Sequence, residues 1–227
     1  MGKQQRKAKV EAMQASVDTI EAYYINEEFS LTDLDHGAWN DARPVQITRY
    51  WSGKEAPTTR HLEARVIWSG EALSVSFICR QAEPLIVSLH PQCAQKTMNL
   101  WERDVCEVFI APEACTPERY REFEAAPTGE WLDLAIHQTP LERATDRQFS
   151  SGMTTAARIA SGEVRIATRI PWQAFGRAPR AGDGWRANLF RCVGSGAERG
   201  YLAWQPTLTI EPNFHVPQVF GWLRFNP

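Results

Sequence analysis

The chain has 227 residues, a net charge of −2, 43% apolar and 23% charged residues, and a heavy aromatic load of nine Trp, ten Phe and five Tyr. Without a basic field to hold a phosphate backbone, nucleic acid is not an expected partner, and no polybasic run suggests a membrane surface. No stretch approaches the roughly 20 apolar residues of a spanning helix, whereas the length suffices for one well-buried core.

Residues 3 to 22 carry helix formers, with Val10, Met13, Val17 and Ile20 spaced three or four apart, and this predicts a short N-terminal helix within a leader over 1–24. The basic start lacks the apolar run of about 7 to 15 residues of a secretory signal, so the expected location is cytoplasmic. From residue 25 to 227 the chain changes to short β-branched and aromatic runs separated by Gly, Pro, Asn and Ser. Strands are expected over 45–51, 62–68, 72–80, 104–110, 120–125, 131–137, 153–159, 164–170, 185–193 and 202–205. Turn residues at Ser69-Gly70, Pro127-Thr128-Gly129 and Ser161-Gly162 fall between pairs of these runs, as hairpins require. The expected fold is all-β, an antiparallel sandwich of about ten strands in the jelly-roll or immunoglobulin-like manner. The five cysteines have no metal-like spacing and are expected to be free and mostly buried.

In the run 104–110, a two-residue period puts Cys106, Val108 and Ile110 on one face and Val105, Glu107 and Phe109 on the other. An ionised Glu107 between apolar neighbours needs a donor or a cation to offset its desolvation. Glu122 and Glu124 share one side of the run 120–125, so a hairpin between the two runs would bring Glu107 and Glu124 together. Two such carboxyls call for a metal, an Arg or a shared proton, and Arg191 is the candidate counter-charge, with Asn188 on the opposite face. The polar loop before residue 104 presents Trp101. Near the C-terminus, three prolines stiffen an excursion that displays Glu211, Asn213, Phe214 and His215. A ring beside polar groups suits a sugar, whose hydroxyls need hydrogen bonds and whose C–H face needs a flat surface.

The succession WERDVCEVFI, YREFEAAPTG, IPW, NLFR, AWQPT and PNFHVPQVFGWLRF, preceded by AWNDA and HLEARVIWSGEALSVSFIC, resembles the family 9-like carbohydrate-binding modules from Trp39 to the end. The resemblance implies a β-sandwich related to the modules of secreted xylanases, in which two rings sandwich a sugar at the reducing end of a glycan. By position, Trp101 and Phe214 match the rings and Glu107 matches a hydroxyl-binding Glu. The chain departs from the cellulose-binding members at Glu124, where they place Arg, and at Phe214, where they place Trp. It also implies structural calcium, for which no DxDxDG-like run is present; no other cofactor is expected.

The expected function is therefore non-catalytic binding of a saccharide through Trp101, Glu107, Glu124, Arg191, Asn213, Phe214 and His215. Three alternatives carry different signatures. A glycoside hydrolase would use Glu107 and Glu124 as its acid and base, but no catalytic motif accompanies them. Haem binding has Met98, Met153, His90 and His137 formally available, without a CxxCH. An interaction domain whose sugar site has drifted would retain the fold alone.

Overall fold

The hairpin of residues 62–80 shows how local chemistry sets the register. In the computed structural model, which describes residues 19–227, Leu62–Trp68 (β3) and Ala72–Arg80 (β4) pair from Leu62 opposite Cys79 to Trp68 opposite Leu73. The buried Ser69 closes the turn, its Oγ accepting the backbone N–H groups of Glu71 at 3.1 Å and Ala72 at 3.2 Å. Glu163–Pro171 (β10) pairs with β4 over its whole length and, through a turn at Gly162 (φ 74°), with Thr154–Ala160 (β9). The short Val45–Ile47 (β2) pairs with β3.

A second set of strands is centred on Val105–Ala111 (β5) and Gly184–Val193 (β11), which are antiparallel from Val105 opposite Cys192 to Ala111 opposite Arg186. Arg119–Ala125 (β6), Trp131–Gln138 (β7) and Arg143–Asp146 (β8) extend it from the β5 side. Gly200–Ala203 (β12) and Gly221–Phe225 (β13) pair with the two ends of β11. The two sets pack face to face. Val66, Val75, Phe77 and Ile166 from the first meet Cys106, Val108, Phe123 and Leu189 from the second in one apolar core, as a sandwich requires. Cys79 and Cys106 touch across this core, Sγ to Sγ at 3.4 Å; all five cysteines are free, with Cys192 also buried and Cys93 and Cys115 exposed.

Thr19–Tyr24 (β1) joins the two sets at their seam. Its first four residues run parallel to β13, and Tyr23 and Tyr24 then pair parallel with Ile67 and Trp68 of β3. Every other pairing is antiparallel. Residues 3–18 of the expected N-terminal helix lie outside the described residues, and the last part of that expectation is corrected: residues 19–22 are strand. The ladder on both edges outweighs a weak helical spacing, and Ile20 and Ala22 alternate inward at 1% and 0% exposure. A single turn of helix, Ala38–Asp41 (α1), seats the buried Trp39 against Ala156 and Ala167 on the outer side of the first set. Arg65 donates to the α1 carbonyl oxygens of Trp39 at 3.0 Å and Ala42 at 3.2 Å. No helix among the described residues is long and apolar enough to cross a membrane.

Because Ile20 sits where both sheets depend on β1, Ile20→Ala should lower the urea unfolding free energy by about 2–5 kcal/mol. Ile159→Ala, at a side chain 51% exposed on β9, should change it by no more than about 0.5 kcal/mol.

Candidate functional site

The face of β5 and β11 turned away from the sandwich core is also covered. Alternation directs Val105, Glu107 and Phe109 of β5, Tyr120, Glu122 and Glu124 of β6, and Phe190 and Cys192 of β11 to this side, where Leu132 and Leu134 of β7 join them in a second apolar cluster. The cover is the C-terminal excursion between β12 and β13. Asn188 holds its root: the Asn188 Oδ1 accepts Gln205 N–H and its Nδ2 donates to Gln205 O, both at 2.9 Å. Trp51 holds the next turn, donating from Nε1 to Thr209 O at 3.1 Å. Phe214 then stacks on Phe190 with ring centroids 4.0 Å apart and planes 13° apart. His215 Nδ1 lies 2.7 Å from the Tyr120 hydroxyl.

Between this excursion, β8 and the segment before β5 opens a cleft of about 540 Å³, lined by Trp101, Tyr201 and Phe214 as rings and by Glu107, Glu122 and Arg143 among its polar groups. Trp101 rides on a single 3-10 turn, Leu100–Glu102, that starts from Asn99 at φ 60° and is pinned by the fully buried Leu100. Arg199 holds that turn from below. Its Nη2 donates to Trp101 O at 2.6 Å and Arg103 O at 2.8 Å, its Nη1 donates to Gly194 O at 2.7 Å, and its guanidinium lies 5.4 Å from the Tyr201 ring centre.

The floor of the cleft is acidic and dry. Glu107 stands directly opposite Glu124 in the β5–β6 register, and Glu107, Glu122 and Glu124 are 2%, 3% and 0% exposed. Burial first, and then the charge of Glu122, push Glu107 up to about 8, while burial holds Glu122 at about 7. Glu124 is raised well above the carboxylate range by burial and by both neighbours. Cys192 Sγ donates to Glu107 Oε1 at 3.4 Å, and Glu122 and Glu124 form a carboxyl pair in which the protonated Glu124 donates to Glu122. Burial and the charge of Arg143 depress His215 to about 3, so its ring is neutral.

Residues 40–225 match the sequence profile of carbohydrate-binding family 9. The chain belongs to that family. Among solved structures, a candidate carbohydrate-binding protein from Bacteroides uniformis superposes with a TM-score of 0.70 at 18% identity, over 92% of this chain and 99% of that one. A family 9 module from Caldicellulosiruptor kristjanssonii in complex with cellotriose gives 0.66 at 13% identity, covering 92% and 93% of the two chains. The same organism's family 9 module in complex with glucose gives 0.63 at 14%, covering 92% and 95%. These likenesses show a shared β-sandwich fold. No curated protein matches the chain.

Within this family 9 module, Trp101, Glu107, Asn213, Phe214 and His215 line one cleft. Glu124 belongs to the same carboxyl cluster but is fully buried outside the lining. Arg191 requires correction. An odd number of residues separates it from the face of Asn188 and Cys192, so it points into the sandwich, donating to Arg60 O and Arg80 O at 2.8 Å each and to Gln81 Oε1. Phe214 is also more enclosed than an exposed clamp, 8% exposed with one face spent on Phe190.

Residues the sequence did not single out include Arg199, Tyr201, Arg143 and Arg147. Arg199 lies in a Gly-rich turn, and the two carbonyls by which it holds the Trp101 turn are about a hundred residues away in the chain. As to calcium, no three His, Cys, Asp or Glu side chains among the described residues are placed to hold a metal ion. The Lys96 ammonium fills an oxygen cage here, forming an ion pair with Asp133 Oδ1 at 2.7 Å and donating to Asp133 O at 2.8 Å, Arg147 O at 3.2 Å and Phe149 O.

Glu107 at about 8 and Glu122 at about 7 lie above the ordinary 4.5. Their contribution to stability is complete below about pH 4.5 and is lost as pH climbs toward 8, because the unfolded chain releases protons that the folded one keeps. Glu107→Gln should therefore gain several-fold more unfolding free energy relative to the wild type at pH 8 than at pH 5, read by urea denaturation. An equal offset at both values would show Glu107 already ionised in the fold.

Proposed function

We propose that this chain is a non-catalytic carbohydrate-binding module that holds a saccharide in the cleft beneath the C-terminal excursion. The observation that carries this reading is that the half-buried Trp101 lines one cleft together with the carboxyls Glu107 and Glu122. A pyranose has an apolar C–H face for the ring and hydroxyls for the carboxyl groups of the floor. The cleft volume falls in the range of small-ligand sites, roughly 300–1,000 Å³. Modules of the same fold hold cellotriose and glucose, which supports a saccharide as the ligand class.

The carboxyls do not support hydrolysis. A glycosidase needs one ionised and one protonated carboxyl flanking the scissile bond. Glu107 and Glu124 are both driven toward the protonated state by burial, and Glu124 does not line the cleft.

Calorimetric titration with glucose, cello-oligosaccharides and xylo-oligosaccharides tests the reading. At least one should bind, and Trp101→Ala should weaken it about tenfold or more while leaving the fold largely intact. Phe214→Ala should instead cost about 3–5 kcal/mol of stability along with affinity, because its ring is part of the second apolar cluster. Arg199→Ala should weaken binding with the Trp101 ring still present, since it releases the turn that aims that ring. Absence of binding by every saccharide at millimolar concentration would leave an interaction domain on a family 9 fold.

A further inference from the structure

The cleft is bipolar. Its floor is the carboxyl pair Glu107 and Glu122, whereas its β8 side carries Arg143 and, just beyond the strand, Arg147. Both arginines are exposed, and neither guanidinium makes a hydrogen bond or ion pair with any described residue. Other exposed arginines are spent on carboxylates, such as Arg158 on Asp35 at 2.7 Å and Arg177 on Glu113 at 3.2 Å. The two that face the cleft are left with open donor forks, which match the oxygens of a carboxylate or an ester sulfate.

We infer that the saccharide held in this cleft is an acidic one, with its hydroxyls directed to Glu107 and Glu122 and its anionic group to Arg143 and Arg147. This rests on the saccharide reading above and adds the charge of the ligand to it. Glu107 and Glu122 line the floor at 2% and 3% exposure and are the carboxyl groups that a ligand hydroxyl would meet there. A ring lying on Trp101 with its hydroxyls down then turns its outer substituents toward β8.

The charge balance agrees. The lining carries three guanidiniums, those of Arg143, Arg147 and Arg199, and three carboxyls, those of Glu102, Glu107 and Glu122. Glu107 and Glu122 are 2% and 3% exposed, so the charged groups at the open side of the lining are the exposed Arg143, Arg147 and Glu102. The open side of the cleft therefore carries two guanidiniums against one carboxylate, in a chain whose net charge is −2.

The test is calorimetric titration of the full chain with three oligosaccharides of one backbone: neutral, with a terminal uronic acid, and with an ester sulfate. An acidic form should bind about tenfold more tightly than the neutral form at low salt, with the gap closing toward about 0.5 M salt. The arm that binds best identifies the carboxylate or the sulfate as the anion. The Arg143→Ala/Arg147→Ala double variant should bring the acidic-to-neutral ratio close to one, and the corresponding double Lys variant should retain part of it. A neutral form that binds as well as or better than both acidic forms overturns the inference and leaves the saccharide reading standing. No binding by any of the three overturns both.

Discussion

The constraint on which the rest of this structure depends is that its central strands are buried on both faces. All seven residues of β5 are buried, and β11 is buried along nearly all its length. A strand in that position has to supply two surfaces from one alternating sequence. One surface, Cys106, Val108 and Ile110, closes the sandwich; the other, Val105, Glu107 and Phe109, needs a cover of its own. The excursion after β12 is that cover, and a cleft exists because it covers the sheet incompletely. Fold and site are thus two consequences of one ladder.

The polar content of the second face is expensive, and the structure shows how the cost is distributed. Three carboxyls share a small buried region, so ionising all of them would set like charges against each other in a poorly solvated place. Retaining protons is the available relief. It converts acceptors into groups that can both donate and accept, a useful property opposite a ligand rich in hydroxyls. The neighbouring Tyr120 and His215 form a neutral pair for the same reason: burial raises the phenol and depresses the imidazole. The rings around them, Phe109, Phe190 and Phe220, keep water away.

How much of this was legible in the sequence follows from where each signal resides. Residues 62–68 and 72–80 are strands to the residue because alternation, β-branching and a Ser-Gly turn agree locally. The same period brings Glu107 and Glu124 together once the two runs form a hairpin, and the register sets them directly opposite. β1, β8 and β13 were not legible. β1 carries a helical spacing and becomes a strand only because two edges need a partner, and β8 is four mostly exposed residues without alternation. Arg191 was misassigned because charge complementarity was weighed ahead of parity, although parity already separates it from Asn188. Arg199 had no local signal, since its role is set by carbonyls on a distant turn. Phe214 was legible as a ring of the site, but not the Phe190 ring that shields one of its faces.

The Lys96 cage has a consequence for the environments in which the molecule stays assembled. Three of its oxygens come from β7 and from the backbone just after β8, including the carbonyl of Arg147. The bend that presents this arginine to the cleft is therefore fastened by a covalently attached cation. Such a fastening cannot be washed out by dilution or removed by a chelator, and it carries one charge where a divalent ion would carry two. At this joint the geometry of the rim is set by a side chain of the molecule itself.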